Sequence, residues 1–186
     1  MKRIIILEGI SSSGKTTLER MLHDALEGSI LITEGTTLMP IIDERDPHKV
    51  EEHLIGVLDE IDSKANDTII VDRFHVTQVF RAHLPPSIVQ GLEQQLCNTG
   101  HPFLVLLSMQ EEAILDRIKE TDIHRAGTWL KKKQGTYEER AAYYTEQQKI
   151  LKQQVRESNL PTLILDTTDK NWDRCLTQIV DFIGGV

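Results

Sequence analysis

The chain has 186 residues, 39% of them hydrophobic and 27% charged, the size and balance of one globular domain whose core needs no disulfide or structural metal. Its 21 lysines and arginines against 29 acids leave a net charge of −8, which excludes a protein whose main work is coating nucleic acid; an anionic ligand must be held by a local site. Cys97 and Cys175 lie far apart and outside any CxxC spacing, and no apolar stretch approaches the roughly 20 residues of a membrane span, so a cytoplasmic protein with no membrane or nucleic-acid partner is expected.

The first apolar run, Ile4-Ile5-Ile6-Leu7, does not alternate with polar residues, which predicts a strand buried on both faces. Leu18, Met21, Leu22 and Leu26 follow at helical spacing. Ile30-Leu31-Ile32 reads as a second strand, and Pro47 can open a second helix that carries Val50, Leu54, Val57, Leu58 and Ile61 on one face. Ile69-Ile70-Val71 gives a third strand. Pro85-Pro86 introduces a helix that Asn98-Thr99-Gly100 closes, just before a fourth strand at Phe103-Leu104-Val105-Leu106-Leu107. Residues 121–135 break the pattern: Asp122, His124, Arg125 and Lys131-Lys132-Lys133, with Gly127 and Gly135 as hinges, read as a charged, mobile excursion. A long polar helix is expected over 136–157, and Leu163-Ile164-Leu165 is the fifth strand, again read as buried on both faces. The βαβα alternation predicts an α/β sandwich around a parallel sheet with right-handed crossovers, in a single domain over 1–186.

Directly after the first strand stands Gly9-Ile10-Ser11-Ser12-Ser13-Gly14-Lys15-Thr16-Thr17, a full G-x-x-x-x-G-K-[ST] phosphate loop. Gly9 and Gly14 permit backbone angles that a Cβ obstructs, so that successive N–H groups, Ser11, Ser12 and Ser13 among them, can turn inward around a polyphosphate. The helix beginning near Lys15 points its N-terminal dipole at the same anion. Lys15 adds a point charge that follows the transferring phosphoryl group, and the Thr16 hydroxyl is placed to coordinate Mg²⁺. The ligand expected is therefore ATP with Mg²⁺. A signalling GTPase would need N-K-x-D after a late strand, which Thr168-Asp169-Lys170-Asn171 does not supply.

The third strand ends in Asp72-Arg73-Phe74, and with the phosphate loop this triplet resembles the thymidylate kinase-like branch of the nucleoside and nucleotide kinases, whose members carry D-R-[YFH] at that place. Glu34-Gly35-Thr36-Thr37 is similar to a shortened form of the branch's E-P-G-G-T segment. Leu115-Asp116-Arg117-Ile118-Lys119 followed by His124-Arg125 resembles its lid, at about 121–135; Tyr137, Arg140 and Tyr144 resemble the start of its post-lid helix; and Asp166-Thr167-Thr168 resembles the loop bordering the adenine of ATP. The resemblance implies a three-layer α/β/α P-loop NTPase fold with strand order 2-3-1-4-5 and a lid, phosphoryl transfer from ATP to a nucleoside or nucleoside monophosphate, and a homodimer face on the 85–98 helix.

Roles are expected accordingly. Asp72, at a C-terminal strand end, holds Mg²⁺ directly or through water or orients the acceptor oxygen; the plainer reading is a helix N-cap. Arg73 suits a bidentate grip on an acceptor phosphate or a base edge, against a surface ion pair. Glu34 resembles the acidic residue of deoxynucleoside kinases near the acceptor 5′-hydroxyl, and is the leading general base if the acceptor is a hydroxyl. Arg125, then Arg117, are the lid arginines expected to meet the charge on the transferring group. Phe74, Phe80 and Trp129 could stack on a base but suit packing better, and His75 follows the triplet. The family's A-Y-Q element after the triplet is absent, with Gln78 the nearest substitute, and Ser11-Ser12-Ser13 stands where thymidylate kinases carry Asp and Gly; the donor site is kept and the acceptor site is not specified. A sugar or antibiotic phosphotransferase on the same fold, or a nucleotide-binding regulatory ATPase, are the alternatives.

Overall fold

Alternate side chains of a strand point to opposite faces, so the unbroken apolar run of β1 (Arg3–Gly9) must be covered twice. Ile4 and Ile6 enter one core cluster and Ile5 and Leu7 the other, all fully buried. The computed structural model describes residues 2–127 and 135–184. In chain order β1 is followed by α1 (Lys15–Ala25), β2 (Ile30–Ile32), α2 (Glu34–Thr37), a 3-10 turn (Met39–Ile41), α3 (Pro47–Ser63), β3 (Thr68–Asp72), α4 (His75–Ala82) and α5 (Pro86–Thr99). Then come β4 (His101–Ser108), α6 (Glu111–His124), α7 (Tyr137–Glu157), β5 (Thr162–Asp166) and α8 (Trp172–Phe182).

The five strands form one sheet in the order β2-β3-β1-β4-β5, every pairing parallel. This is the order the resemblance implies, in a three-layer α/β/α arrangement. One layer, with Leu18 and Leu22 of α1 and Cys175 and Ile179 of α8, packs on Ile5, Leu7 and Ile70; the other carries α3, α5, α6 and α7 against Ile4, Ile6 and Ile69. Because β1 lies between β3 and β4, the chain leaves it in opposite directions on its two sides, and a crevice opens at the C-terminal strand ends, where this class of sheet binds its ligands.

Local chemistry sets the element ends. Pro47 sits in the first turn of α3 behind an Asp46 cap that accepts from the His48 N–H at 3.0 Å. α7 begins with a capping box: Thr136 accepts from the Glu139 N–H, and the Glu139 carboxylate accepts from the Thr136 N–H. Its buried Gln148 exchanges two hydrogen bonds of 2.9 Å with the backbone of Met109, pinning α7 to the end of β4.

Two expectations need correction. The excursion expected from residue 121 begins later, because α6 runs to His124 and ends only where Ala126 (φ 52°) and Gly127 (φ 69°) turn left-handed. Trp129 and Lys131-Lys132-Lys133 lie outside the described residues. Leu163-Ile164-Leu165 is not buried on both faces: β5 is an edge strand, and Ile164 is 38% exposed. Glu34 to Thr37, to which the sequence assigned no element, winds into a short helix capped by Thr33, which accepts from the Gly35 N–H at 3.3 Å.

Ile6→Ala, in the central strand, is expected to lower unfolding free energy by about 2–5 kcal/mol. A fall in the urea midpoint at unchanged slope checks it.

Candidate active site

The loop between β1 and α1 is held in shape by its glycines. At Gly9 (φ 149°) a Cβ would meet the Leu107 carbonyl oxygen at 2.7 Å, and at Gly14 (φ 99°) it would sit 2.3 Å from the Trp172 ring. Gly14 is also the residue before α1, so the unpaired N–H groups of that helix open on the crevice. Lys15 is buried and donates to the carbonyls of Gly9 (3.3 Å) and Ile10 (3.4 Å). Burial and the neighbouring Arg73 lower its pKa to about 8, against the opposing pull of Asp72, Glu34 and Glu8.

Facing the loop, Arg73 is buried with a left-handed backbone (φ 61°), a conformation that costs an arginine energy and that its partners must hold. Its Nε donates to the Glu34 carboxylate, its Nη1 to Thr77 Oγ1 at 3.1 Å, and its N–H to the Leu7 carbonyl at 2.9 Å. Burial works against the charged form, but Glu34, Glu8 and Asp72 together raise its pKa. Behind it the fully buried Glu8 carboxylate accepts from the Phe74 N–H (2.8 Å), the Thr77 N–H (3.3 Å) and the Thr77 hydroxyl, and so caps α4, whose N-terminus has no side-chain cap of its own. Glu34 in turn lies 3.8 Å from Lys15 Nζ. Carboxylates and cations thus alternate from Glu8 through Arg73 and Glu34 to Lys15.

Asp72 is not the helix cap of the plainer reading: α4 starts after Phe74, and Asp72 accepts through its backbone carbonyl from Thr37 Oγ1 at 2.6 Å. Its Oδ1 is buried without a hydrogen-bond partner. Burial pushes its pKa up, with Lys15 opposing and Glu34 adding to the rise. Glu19, one turn into α1 and 5% exposed, hydrogen-bonds to Asp72, and its pKa is raised to about 7 by burial and then by Asp72. Among the described residues no three His, Cys, Asp or Glu side chains could hold a metal by themselves. An orphaned buried carboxylate oxygen on Asp72 and the Thr16 hydroxyl on the crevice wall therefore fit a Mg²⁺ ion that takes most of its ligands from phosphate and water.

Two cavities open from this network. The larger, about 420 Å³, is lined by Ser11, Ser12, Gly14, Lys15, Thr16 and Thr17 of the loop, and farther out by Arg117, Glu120, Arg125, Lys170 and Trp172. The second, about 200 Å³, is lined by Leu38, Met39, Ile42, Thr77, Arg81, Arg140, Tyr143, Tyr144 and Gln147. Ser11, Glu34 and Arg73 belong to both.

The fold is that of the P-loop NTPases. It is similar to the YorR protein of Bacillus subtilis in complex with phosphorylated GDP (TM-score 0.71, 18% identity, 97% of this chain and 95% of that one). It is also similar to a tunicamycin resistance protein of Deinococcus radiodurans (TM-score 0.62, 17%, 100% and 98%) and a shikimate kinase of Bacteroides thetaiotaomicron (TM-score 0.61, 13%, 98% and 98%). No family model and no curated protein matches the sequence.

Of the residues singled out in the sequence, the structure brings Ser11, Ser12, Gly14, Lys15, Thr16, Thr17, Glu34, Arg73, Arg117 and Arg125 to the larger cavity. Gly9, Ser13 and Asp72 are buried and are not among the residues lining it. Asp166 is exposed, its carboxylate accepts from the Thr168 N–H at 2.8 Å, and it is not among the residues lining the cavity. Trp172 and Lys170 front the cavity there instead. Arg117 lies in α6 and donates to Ser12 O (3.3 Å), Thr167 O (2.8 Å) and Thr168 O (3.3 Å), with its guanidinium 5.8 Å from the centre of the Trp172 ring. Phe74 is core, Phe80 packs edge-on against Tyr143 at 5.2 Å, and Gln78 is buried away from both cavities. His75 is buried against Glu93 at 3.3 Å. Glu8, Glu19 and Trp172 escaped the sequence reading. A lone acid closing an apolar strand was a usable signal for Glu8, and the position four residues after Lys15 on one helix face was a signal for Glu19.

Glu19 binds its proton more tightly folded than unfolded, so its contribution to stability is full below about pH 4.3 and is lost as pH rises through about 7. Relative to Glu19→Gln, the wild type is expected to lose stability between pH 5 and 8. Urea midpoints of both proteins at the two pH values check it, and a constant difference would refute the assignment.

Proposed function

We propose that the protein is an ATP-dependent kinase that transfers the γ-phosphoryl group to a hydroxyl of a small-molecule acceptor. The observation that carries this reading is the position of Glu34, a half-buried carboxylate on the wall shared by the two cavities, with Lys15 3.8 Å away on one side and Arg73 bound to it on the other. In this reading ATP occupies the larger cavity. The loop N–H groups and the α1 N-terminus receive its phosphates, and Arg117 and Trp172 border its base. Mg²⁺, held by Thr16 and Asp72, would neutralise charge on the β- and γ-phosphates.

The acceptor occupies the second cavity with its hydroxyl at the junction. Glu34 takes the hydroxyl proton as the oxygen bonds to the γ-phosphorus; the bond from that phosphorus to the β,γ-bridging oxygen breaks, and ADP departs with its electron pair. Lys15 follows the moving phosphoryl group, and Arg125, at the end of α6 on the cavity wall, meets its charge. An acceptor phosphate needs no base and is repelled by a carboxylate at the junction, which favours a nucleoside over a nucleoside monophosphate phosphorylated on its phosphate. Arg73, engaged by Glu34 and Thr77, orients the base rather than gripping an acceptor phosphate. Likeness to a shikimate kinase and to YorR with phosphorylated GDP supports phosphoryl transfer and nucleotide use. The thymidylate kinase-like triplet makes nucleosides the first acceptors to test, and the free thiols of Cys97 and Cys175 support a reducing, cytoplasmic setting.

A coupled ADP-release screen over nucleosides, nucleoside monophosphates and small alcohols is expected to find acceptors that raise turnover above the acceptor-free rate. No stimulation by any of them would remove the kinase reading. Lys15→Ala is expected to abolish transfer while retaining the melting temperature. Glu34→Gln is expected to lower kcat by about 10²- to 10⁴-fold, with ATP still quenching Trp172 fluorescence in a Trp129→Phe background; wild-type kcat in that variant would exclude Glu34 as the base.

A further inference from the structure

Resting on the kinase reading above, the two ends of the second cavity bear on which hydroxyl compound enters it. Ser11, Glu34 and Arg73 line both cavities and so mark its inner end, where Arg73 donates to Thr77. Two elements lead outward from there. In α4, Arg81 follows Thr77 by four residues, one turn or about 6 Å. After Glu34 the chain brings Leu38, Met39 and Ile42 to the wall, and Arg81 donates through Nη2 to the Ile42 carbonyl, which puts Ile42 at the same outer end. Tyr143 of α7 reaches that end too, packed edge-on against Phe80, the neighbour of Arg81 in the chain. The arginines there are engaged: Arg81 with the Ile42 carbonyl, and Arg140 with the Tyr143 ring, 5.8 Å from its centre. The inner end therefore offers hydroxyls, a carboxylate and a guanidinium, and the outer end offers Leu38, Met39, Ile42 and Tyr143.

The outer end is also where the cavity meets solvent. Met39 is 56% exposed and Tyr143 38%, and they are two of the four exposed large hydrophobics among the described residues. A single exposed apolar side chain is ordinary, but two that line one cavity together with Leu38 and Ile42 form an apolar surface that a ligand can cover. At about 200 Å³ the cavity is smaller than the roughly 300–1,000 Å³ of drug-sized sites, so a compound that fills it from Glu34 outward extends past Met39 and Tyr143. We propose that the acceptor is amphiphilic, with a hydroxylated head at the inner end, its reacting hydroxyl at Glu34, and an apolar tail that lies along Leu38 and Ile42 and covers Met39 and Tyr143. The unbranched thioether of Met39 can follow tails of different shape, and an apolar tail asks for no hydrogen bond from an end whose Ile42 carbonyl is already taken by Arg81.

The test varies the tail on a fixed head: the methyl, butyl and hexyl glycosides of glucose and of ribose, and the matching alkyl ethers of glycerol. In ADP release with MgATP, kcat/KM on a productive head is expected to rise about 4-fold for each methylene that the outer wall covers, through KM. Met39→Ser and Tyr143→Ser are each expected to flatten that rise, and Met39→Leu to retain it. A kcat/KM independent of tail length, or a rise of the same steepness in both serine variants, would overturn the proposal. A second measurement does not depend on turnover. With a non-hydrolysable ATP analogue filling the larger cavity, the hexyl compounds are expected to raise the melting temperature of the wild type more than the methyl compounds do, with no such difference in Met39→Ser. Protection that is absent, independent of tail length, or equal in the two proteins would overturn the apolar subsite. Tail-dependent protection without phosphorylation of any acceptor would instead keep the subsite and remove the kinase reading.

Discussion

A buried guanidinium organises the crevice. Removing Arg73 from water costs several kcal/mol, and its left-handed backbone adds about 1–3 kcal/mol. That cost is tolerable because Glu34 and Thr77 accept from its guanidinium, while the fully buried Glu8 accepts from Thr77 and favours the cation by its charge, so that three different elements support it. Glu8 closes the central strand, Thr77 lies in α4 and Glu34 opens α2, so the ion network ties the sheet to the two short helices that carry the cavity walls. Losing one partner would leave an uncompensated buried charge, which is why such a network fixes geometry better than it adds stability.

The same arrangement would let an acidic protein hold the polyphosphate of the proposed reaction. A surface charge of −8 acts over a Debye length of about 8 Å in physiological salt, whereas the loop, Lys15, Arg117 and Arg125 act at contact distance. Lys15 shows how dry that region is. Burial and Arg73 bring its pKa to about 8 despite three nearby carboxyl groups, and a polyphosphate beside it would reverse the balance by the same Coulomb term. Glu19 and Asp72 experience the complementary effect, burial raising both.

What was legible in the sequence follows sequence distance. The phosphate loop is a local motif whose glycine angles, helix start and lysine are set within nine residues, and all of it appears where expected. Strand order was carried by resemblance, since apolar periodicity says that strands are buried but not which are neighbours. Edge position defeated the periodicity at β5, where Leu163-Ile164-Leu165 is apolar enough for a central strand yet leaves Ile164 exposed. Contacts across 66 to 69 residues bind Glu8 to α4, and Trp172 reaches Gly14 from the far end of the chain. No window of sequence contains such pairs. Asp166 stands outside the lining of the larger cavity for a related reason: the turn made by Thr167 and Lys170 brings Lys170 and Trp172 to that wall.

In the proposed kinase reading Glu34 poses the remaining chemical question, since Lys15 and Arg73 both lie against the carboxylate that is to take the proton. In a loose phosphoryl-transfer transition state little bond to the acceptor oxygen has formed, so the hydroxyl need not be deprotonated beforehand. Its acidity rises only as the new bond develops, and a weak base already within reach is then sufficient. In that proposed reading Lys15 would follow the transferring group at the same stage, leaving one cation fewer beside Glu34 when the proton is ready to leave. On the proposed reading the pairing suits a late proton transfer, made to a carboxylate that lines both cavities.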